Sequence, residues 1–138
     1  MTPRTLHCAN ASMYAAIALL VVAADIYVWV TETVNTTRCI AATVATLVAV
    51  IWALHYVVLR YHIDSEGVCE KRLFRKARRI RWAELTAARS EEVQLQGIAG
   101  LSIILESPET SITISTATLS MDAVEELAQD LKIAGILH

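Results

Sequence analysis

Hydrophobic residues gather in two nearly unbroken runs in the first half of the chain. Residues 11–30 contain one formally charged side chain, Asp25, and residues 39–59 contain none at neutral pH. A helix that rises 1.5 Å per residue needs roughly 20 residues to cross about 30 Å of hydrocarbon, and both runs have that length. A soluble helix that is apolar on all sides would need a far larger protein around it. The pattern therefore predicts two transmembrane helices.

A short polar connector, residues 31–38, joins the two runs, so the helices are predicted to be antiparallel neighbours. Tyr27 and Trp29 lie near one boundary, and Tyr56 and Tyr61 near the other, as aromatic side chains do at headgroup level. Basic residues follow the second run, and Lys and Arg that flank a span are retained on the cytoplasmic side. We expect a multi-pass protein of the cell (inner) membrane with both termini in the cytoplasm.

Two polar residues, Asp25 and His55, stand out within the runs. Ionisable groups in hydrocarbon can form a proton or ion relay. In an antiparallel hairpin these two positions lie near opposite faces of the membrane, so they should not meet. We favour contact with the outer surface for Asp25 and with the inner surface for His55. Small residues recur in both runs and permit close helix contact within the hairpin or with another copy.

After residue 60 the pattern changes to the two-residue alternation of β-strands. Extended segments flank a turn that ends at Gly67, and Ile80 and Trp82 then alternate with basic residues. Residues 101–107 and 110–116 surround a Pro-Glu pair and predict a hairpin.

The tail returns to helical spacing, with Ser120 as a helix cap and Gly135 beyond the helix end. The predicted fold class is therefore a membrane α + β protein. Residues 1–60 form the transmembrane hairpin. Residues 61–138 form a small cytoplasmic antiparallel sheet of about six strands, closed by a helix over about residues 120–134.

Composition and charge agree with this division. The chain is 55% hydrophobic with a mean hydropathy of +0.47, which is high for a soluble domain. Residues 1–59 have a net charge of zero. Residues 60–89 carry nine basic and four acidic residues, a net of +5, and residues 90–138 carry one basic and eight acidic residues, a net of −7. Cys8, Cys39 and Cys69 are widely spaced without a CxxC motif, so neither a disulfide framework nor a metal site is predicted.

The order of two spans, the segment YHIDSEGV, a basic hairpin that runs into IRWAEL, further strands and a closing helix resembles bacterial membrane proteins with a pleckstrin-homology (PH)-like domain. The resemblance covers roughly residues 56–134. It depends on Gly67 at the end of the turn and on Ile80, Trp82, Glu84 and Leu85. It implies a split β-barrel of two roughly orthogonal sheets capped by the C-terminal helix. It implies no settled activity, because PH folds bind lipid headgroups in some proteins and protein partners in others.

Six basic residues form the candidate binding site on or beside the predicted basic hairpin: Arg72, Arg75, Lys76, Arg78, Arg79 and Arg81. Three interpretations fit these residues. They could form a solvated strand face whose charge orients the spans, or they could contact anionic lipid headgroups. They could also bind an acidic protein partner, such as residues 90–138 of the same chain or of another copy, which have a net charge of −7. Nucleic acid is not expected as a partner, because Phe74 and Trp82 suit the core better than base stacking.

No catalytic motif is present: the chain has no Gly-rich phosphate loop, GxSxG or HExxH sequence. We therefore expect no enzyme activity and no cofactor. The expected function is that of a membrane-anchored, cytoplasm-facing binding or scaffold module that contacts an anionic lipid surface or a protein partner. The protein partner can be another copy of the chain, which would form a homo-oligomer. The alternative is a structural accessory subunit of a larger membrane complex.

Overall fold

A computed structural model describes residues 2–31 and 35–138. The chain divides into two compact units, Asn10–Val58 on one side and Met1–Ala9 together with Leu59–His138 on the other. The N-terminal segment, which the sequence analysis grouped with the hairpin, thus belongs to the β unit. Its four-residue strand is too short for an alternation pattern to reveal, and only its pairing with a distant strand defines it.

The helical unit is a hairpin of two apolar helices, α1 (Ala11–Thr31) and α2 (Thr36–Val58). The ring of Tyr14 stacks on that of Tyr56 with centroids 4.5 Å apart, near the start of one helix and the end of the other, so the helices are antiparallel as predicted. The second helix begins within the predicted connector because the Asn35 side chain accepts the Arg38 N–H at 3.2 Å, which caps it. The rest of the connector, residues 32–34, lies outside the described residues.

Both helices are long and apolar enough to cross a membrane. The most apolar stretch of α1 has no buried residue, and only 6% of that of α2 is buried. The apolar core helix of a soluble protein is instead mostly buried. The hairpin therefore leaves its apolar side chains exposed to whatever surrounds it.

The β unit contains two antiparallel sheets. The first has the order β1 (Arg4–His7), β2 (Arg60–Ile63), β3 (Gly67–Lys71) and β4 (Arg78–Arg81). In chain order the helical hairpin thus falls between β1 and β2. The guanidinium of Arg4 forms ion pairs with Glu126, at 3.1 Å, and with Asp130, which join the first strand to the C-terminal helix.

The second sheet has the order β5 (Ala87–Leu95), β6 (Ile98–Glu106) and β7 (Ser111–Ser115). Its β6–β7 hairpin confirms the prediction for residues 101–116. A two-residue turn with positive φ at Gln96 and Gly97 joins β5 to β6, as in type I′ turns that suit the twist of a hairpin. The described residues thus form seven strands in two sheets, where the alternation pattern predicted about six.

The C-terminal helix α3 (Met121–Ile133) packs on β6, close to its predicted bounds. The Ser120 hydroxyl accepts the Ala123 N–H at 3.4 Å at its start. After its end, Gly135 has a φ of +73°, and the N–H groups of the next two residues bond to the Leu131 carbonyl. The apolar stripe of α3 completes the core with side chains from both sheets: Tyr61, Ile63, Val68, Ile80, Ile103, Leu105, Ile112, Ile114, Val124, Leu127 and Leu131.

Gly67, the first residue of β3, lies close against the backbone of β4. A β carbon at this position would overlap the carbonyl oxygen of Ile80 and lie 2.9 Å from the Cα of Arg81. Both neighbouring atoms belong to the backbone of a paired strand, so they cannot move aside as a side chain could. An added β carbon would therefore force the two strands apart. The glycine at the end of the predicted turn is therefore required by close backbone approach.

We expect Gly67→Ala to reduce the free energy of unfolding by about 1–3 kcal/mol, the usual cost of forcing extra volume into a packed site. Thermal unfolding of the full-length protein in detergent, followed by circular dichroism, measures the loss. The control is Gly97→Asn, because Gly97 has open space around it and Asn tolerates positive φ. Equal melting temperatures for the two variants would contradict this account.

Candidate functional site

The register of the first sheet brings three chain segments to one end. His7 pairs with Arg60, and Arg60 pairs with Lys71. His7 precedes the start of α1 by three intervening residues, and Arg60 follows the end of α2 after Leu59 alone. The loop after Lys71, residues 72–77, therefore begins at the sheet end from which both connections to the helical hairpin leave.

The opposite end of this sheet carries an acidic turn. Asp64 accepts the N–H groups of Glu66 and Gly67 at 2.9 Å each, and these bonds hold the pKa of its carboxyl below the usual range. Arg79 donates to Glu66 at 2.9 Å and lies 4.0 Å from Asp64. Arg81 pairs in register with Gly67, so it lies at this end too.

The structure thus separates the six predicted site residues. Arg72, Arg75 and Lys76 lie in the loop that follows Lys71, whereas Arg79 is paired with the acidic turn. Arg78 begins β4 and donates to the Ser111 carbonyl at 3.4 Å. A run that is continuous in sequence therefore spans the length of the sheet, and its six charges do not form a single cluster.

Arg72 is occupied by a buried partner. Its Nη2 donates to Glu70 Oε2 at 3.0 Å and its Nε lies 2.9 Å from Oε1, while the Glu70 side chain is 2% exposed. Tyr61 lies beside this ion pair. Burial, with a contribution from the Glu70 charge, raises the pKa of Tyr61 to about 12. Its hydroxyl donates a hydrogen bond to the Thr113 carbonyl. Arg72 therefore neutralises a core carboxylate.

Arg78, which donates to the Ser111 carbonyl, pairs with Glu70 at the sheet end described first. Four further exposed cations occupy that end, and we call them the basic end: Arg60, Lys71, Arg75 and Lys76. Within the described parts of the chain, none of the four forms an ion pair within 4.0 Å. Arg60 and Lys71 were not among the predicted site residues, because each lies outside the dense basic run. Only strand pairing places them beside Arg75 and Lys76.

The prediction that Phe74 belongs to the core is wrong. Its side chain is 85% exposed in the loop beside the basic end, and its φ is +58°. Alternation carried through Lys71 would turn Phe74 inward, but the strand ends at that residue and the loop reverses the chain. Trp82, in contrast, packs against the core and donates from Nε1 to the Asp64 carbonyl at 3.0 Å.

A polar chain crosses the helical hairpin. Trp29 Nε1 donates to the Thr43 hydroxyl at 2.7 Å, and that hydroxyl lies 3.2 Å from Asp25 Oδ2, to which it donates. His55 instead contacts the ring of Tyr56 edge-on, with centroids 5.4 Å apart. The two ionisable residues thus have separate surroundings within the hairpin.

The part of the chain that the structure describes offers few other candidate sites. Among the cysteines, Cys8 and Cys39 are buried and Cys69 is partly exposed. Within residues 2–31 and 35–138, no group of three or more His, Cys, Asp or Glu side chains is arranged to hold a metal ion. The basic end is therefore the strongest candidate site.

Comparison with known proteins assigns no family: no protein-family model, no curated protein and no solved structure matches the chain. Geometry and electrostatics of the described residues thus carry the functional argument.

We expect Arg72→Ala to destabilise the protein by about 3 kcal/mol, because it leaves the Glu70 carboxylate buried without a counter-charge. Adding Glu70→Gln to Arg72→Ala should recover most of that loss. Arg75→Ala, the exposed neighbour, should change stability by less than about 0.5 kcal/mol. Chemical denaturation of full-length protein in detergent compares the variants, and equal effects of the two arginine substitutions would contradict a structural role for Arg72.

In the hairpin, Thr43→Val removes both the donor to Asp25 and the acceptor of the Trp29 N–H. We expect a loss of about 1 kcal/mol, the typical net contribution of a hydrogen bond to stability. Thr46→Val serves as the control, because Thr46 lies one turn further along α2 and makes no side-chain hydrogen bond with a described residue. Thermal unfolding in detergent measures both, and a Thr46→Val loss as large as that of Thr43→Val would contradict the assignment.

Proposed function

We propose that the chain is a membrane-anchored, cytoplasm-facing binding module whose basic end contacts the anionic surface of the inner leaflet. One observation carries the proposal: four exposed cations without ion-pair partners among the described residues lie at the sheet end from which the chain runs into two apolar helices. The strand that precedes α1 adds support. A cleaved signal peptide would take β1 with it and remove one edge of the sheet.

Chain length keeps the basic end near the proposed membrane surface. Only Leu59 separates Val58, the last residue of α2, from Arg60, and fully extended chain spans at most about 3.6 Å per residue. The Debye length at physiological ionic strength is about 8 Å. Arg60 therefore stays within roughly one screening length of the end of α2.

The magnitude of the attraction favours lipid contact over a merely solvated face. Each Lys or Arg near an anionic leaflet contributes about 1 kcal/mol, so four contribute about 4 kcal/mol. Strand pairing already fixes the backbone at Arg60 and Lys71, so contact with the leaflet has to order only their side chains. The acidic turn lies at the other end of the sheet, where it does not oppose the contact. The same excess of basic residues supports the cytoplasmic orientation.

For the finer fold we propose a PH-like split β-barrel. Four antiparallel strands, then three, then a C-terminal helix on β6 support this assignment, as does the pairing of Gly67 with Arg81 close to Trp82. The helical hairpin then occupies the connection between the first two strands. Fold alone does not specify the ligand.

A second candidate is a structural accessory subunit of a larger membrane complex. The exposed apolar faces of α1 and α2 favour it, because other spans could cover them as well as lipid does. A protein partner in stoichiometric amount after purification in mild detergent would support this candidate, whereas a lone or self-associated protein would support the module.

Headgroup contact can be measured in full-length protein in nanodiscs. A fluorophore at Ala77→Cys, in a Cys69→Ser background that leaves only the two buried cysteines, reports quenching by lipids with a headgroup nitroxide. We expect stronger quenching in discs with phosphatidylglycerol than in discs of phosphatidylcholine alone, and loss of the difference in high salt.

The double variant Arg75→Glu/Lys76→Glu should abolish the preference for anionic discs. The single variants Arg75→Glu and Arg81→Glu each reverse one charge, at the basic end and at the opposite end of the sheet. Arg75→Glu should weaken the preference for anionic discs, and Arg81→Glu should leave that preference intact. Equal quenching in both kinds of disc, or an equal effect of Arg81→Glu, would contradict the proposed function.

A further inference from the structure

Phe74 is the most exposed large apolar side chain among the described residues, at 85%. Single exposed hydrophobic residues are common on protein surfaces and need no explanation by themselves. Phe74 differs because it lies within the six-residue loop beside the basic end, with Arg75 and Lys76 directly after it. Its position therefore raises the question of what covers the ring.

The backbone at Phe74 sharpens that question. Its φ of +58° lies in the left-handed region, which disfavours bulky side chains and suits glycine or asparagine. The residue thus carries two unfavourable features in water, an exposed phenyl ring and a disfavoured backbone conformation. Neither is offset by packing inside the β unit, where the ring is not part of the core.

We propose that Phe74 inserts into the interfacial layer of an anionic bilayer, so that the loop combines an apolar wedge with flanking cations. This inference rests on the proposed function. The phenyl ring leaves water for the acyl boundary, while Arg75 and Lys76 stay with the headgroup phosphates. Apolar side chains flanked by Lys and Arg are the usual composition of segments that lie in the membrane interface.

A bilayer suits this surface better than a protein pocket. The apolar element is one ring, and it is bordered by the four cations of the basic end, which match a continuous anionic plane. The connections to both apolar helices leave the same sheet end, so the wedge needs no separate recruitment step.

The chain supplies its own probe for a test. Phe74 is the single phenylalanine in the sequence, so biosynthetic 4-fluorophenylalanine places one fluorine in the full-length protein. In nanodiscs with phosphatidylglycerol we expect lipids with a nitroxide on the acyl chain to broaden the fluorine resonance, and aqueous nickel chelate to leave it sharp. A resonance broadened by the aqueous reagent and untouched by the acyl-chain nitroxide overturns the proposal.

A second experiment tests whether Phe74 inserts into the membrane or instead stabilises the fold. Phe74→Gly removes the ring and relieves the left-handed backbone, so thermal stability in detergent should be kept or raised. Headgroup quenching at Ala77→Cys reports the equilibrium between the membrane-bound and the free loop. This equilibrium should shift roughly tenfold toward the free loop, as expected for the loss of one buried Phe side chain. Among the described residues, Gln96 is the other non-glycine residue with positive φ, and Gln96→Gly should leave quenching unchanged.

Ile133→Ser is the matched loss of an exposed apolar residue, because Ile133 is 79% exposed at the end of α3. Loss of quenching in this variant, or unchanged quenching in Phe74→Gly, overturns the wedge. Headgroup quenching that depends on Arg75 and Lys76 without acyl-chain broadening of the fluorine also overturns it, and leaves the proposed function standing. In native membranes, a fluorine resonance that neither the acyl-chain nitroxide nor the aqueous nickel chelate broadens overturns the wedge and assigns the ring to a protein partner.

Discussion

The antiparallel pairing of β2 with both β1 and β3 is the interaction on which the candidate site depends. It sets Arg60 between His7 and Lys71, and so gathers at one sheet end the two connections to the helices and the start of the basic loop. The core fixes this register, because a slip of one residue would turn Tyr61 and Ile63 away from the interior. Burial of apolar side chains thus determines where the charges lie.

Ion pairing then decides which of those charges are available. Glu70 is buried and engages Arg72, and the turn at the opposite end engages Arg79, so two of the six residues in the dense basic run have carboxylate partners. Arg60 and Lys71 replace them at the basic end although neither belongs to that run. The density of basic residues along a sequence therefore differs from the density of free charge on a surface.

Elements with strong local signals agreed with prediction. Runs of about twenty apolar residues defined the two helices, and a capped amphipathic stripe defined α3 within about a residue at each end. The Ile- and Thr-rich hairpin of β6 and β7 was also predicted. The strand at residues 4–7 was not, because four residues carry too little periodicity and its partner lies more than fifty residues away. Phe74 was misplaced because alternation continues in the sequence beyond the point where the strand ends.

By itself, the sequence determined which segments are too apolar for water, which alternate, and how charge divides into blocks, since these properties depend only on composition and local spacing. The tertiary structure alone decided that β1 joins the later strands in one sheet, that Arg72 belongs to the core, and that Phe74 stands exposed among the free cations. Those outcomes depend on contacts between residues distant in the chain, whose free energy no local pattern contains.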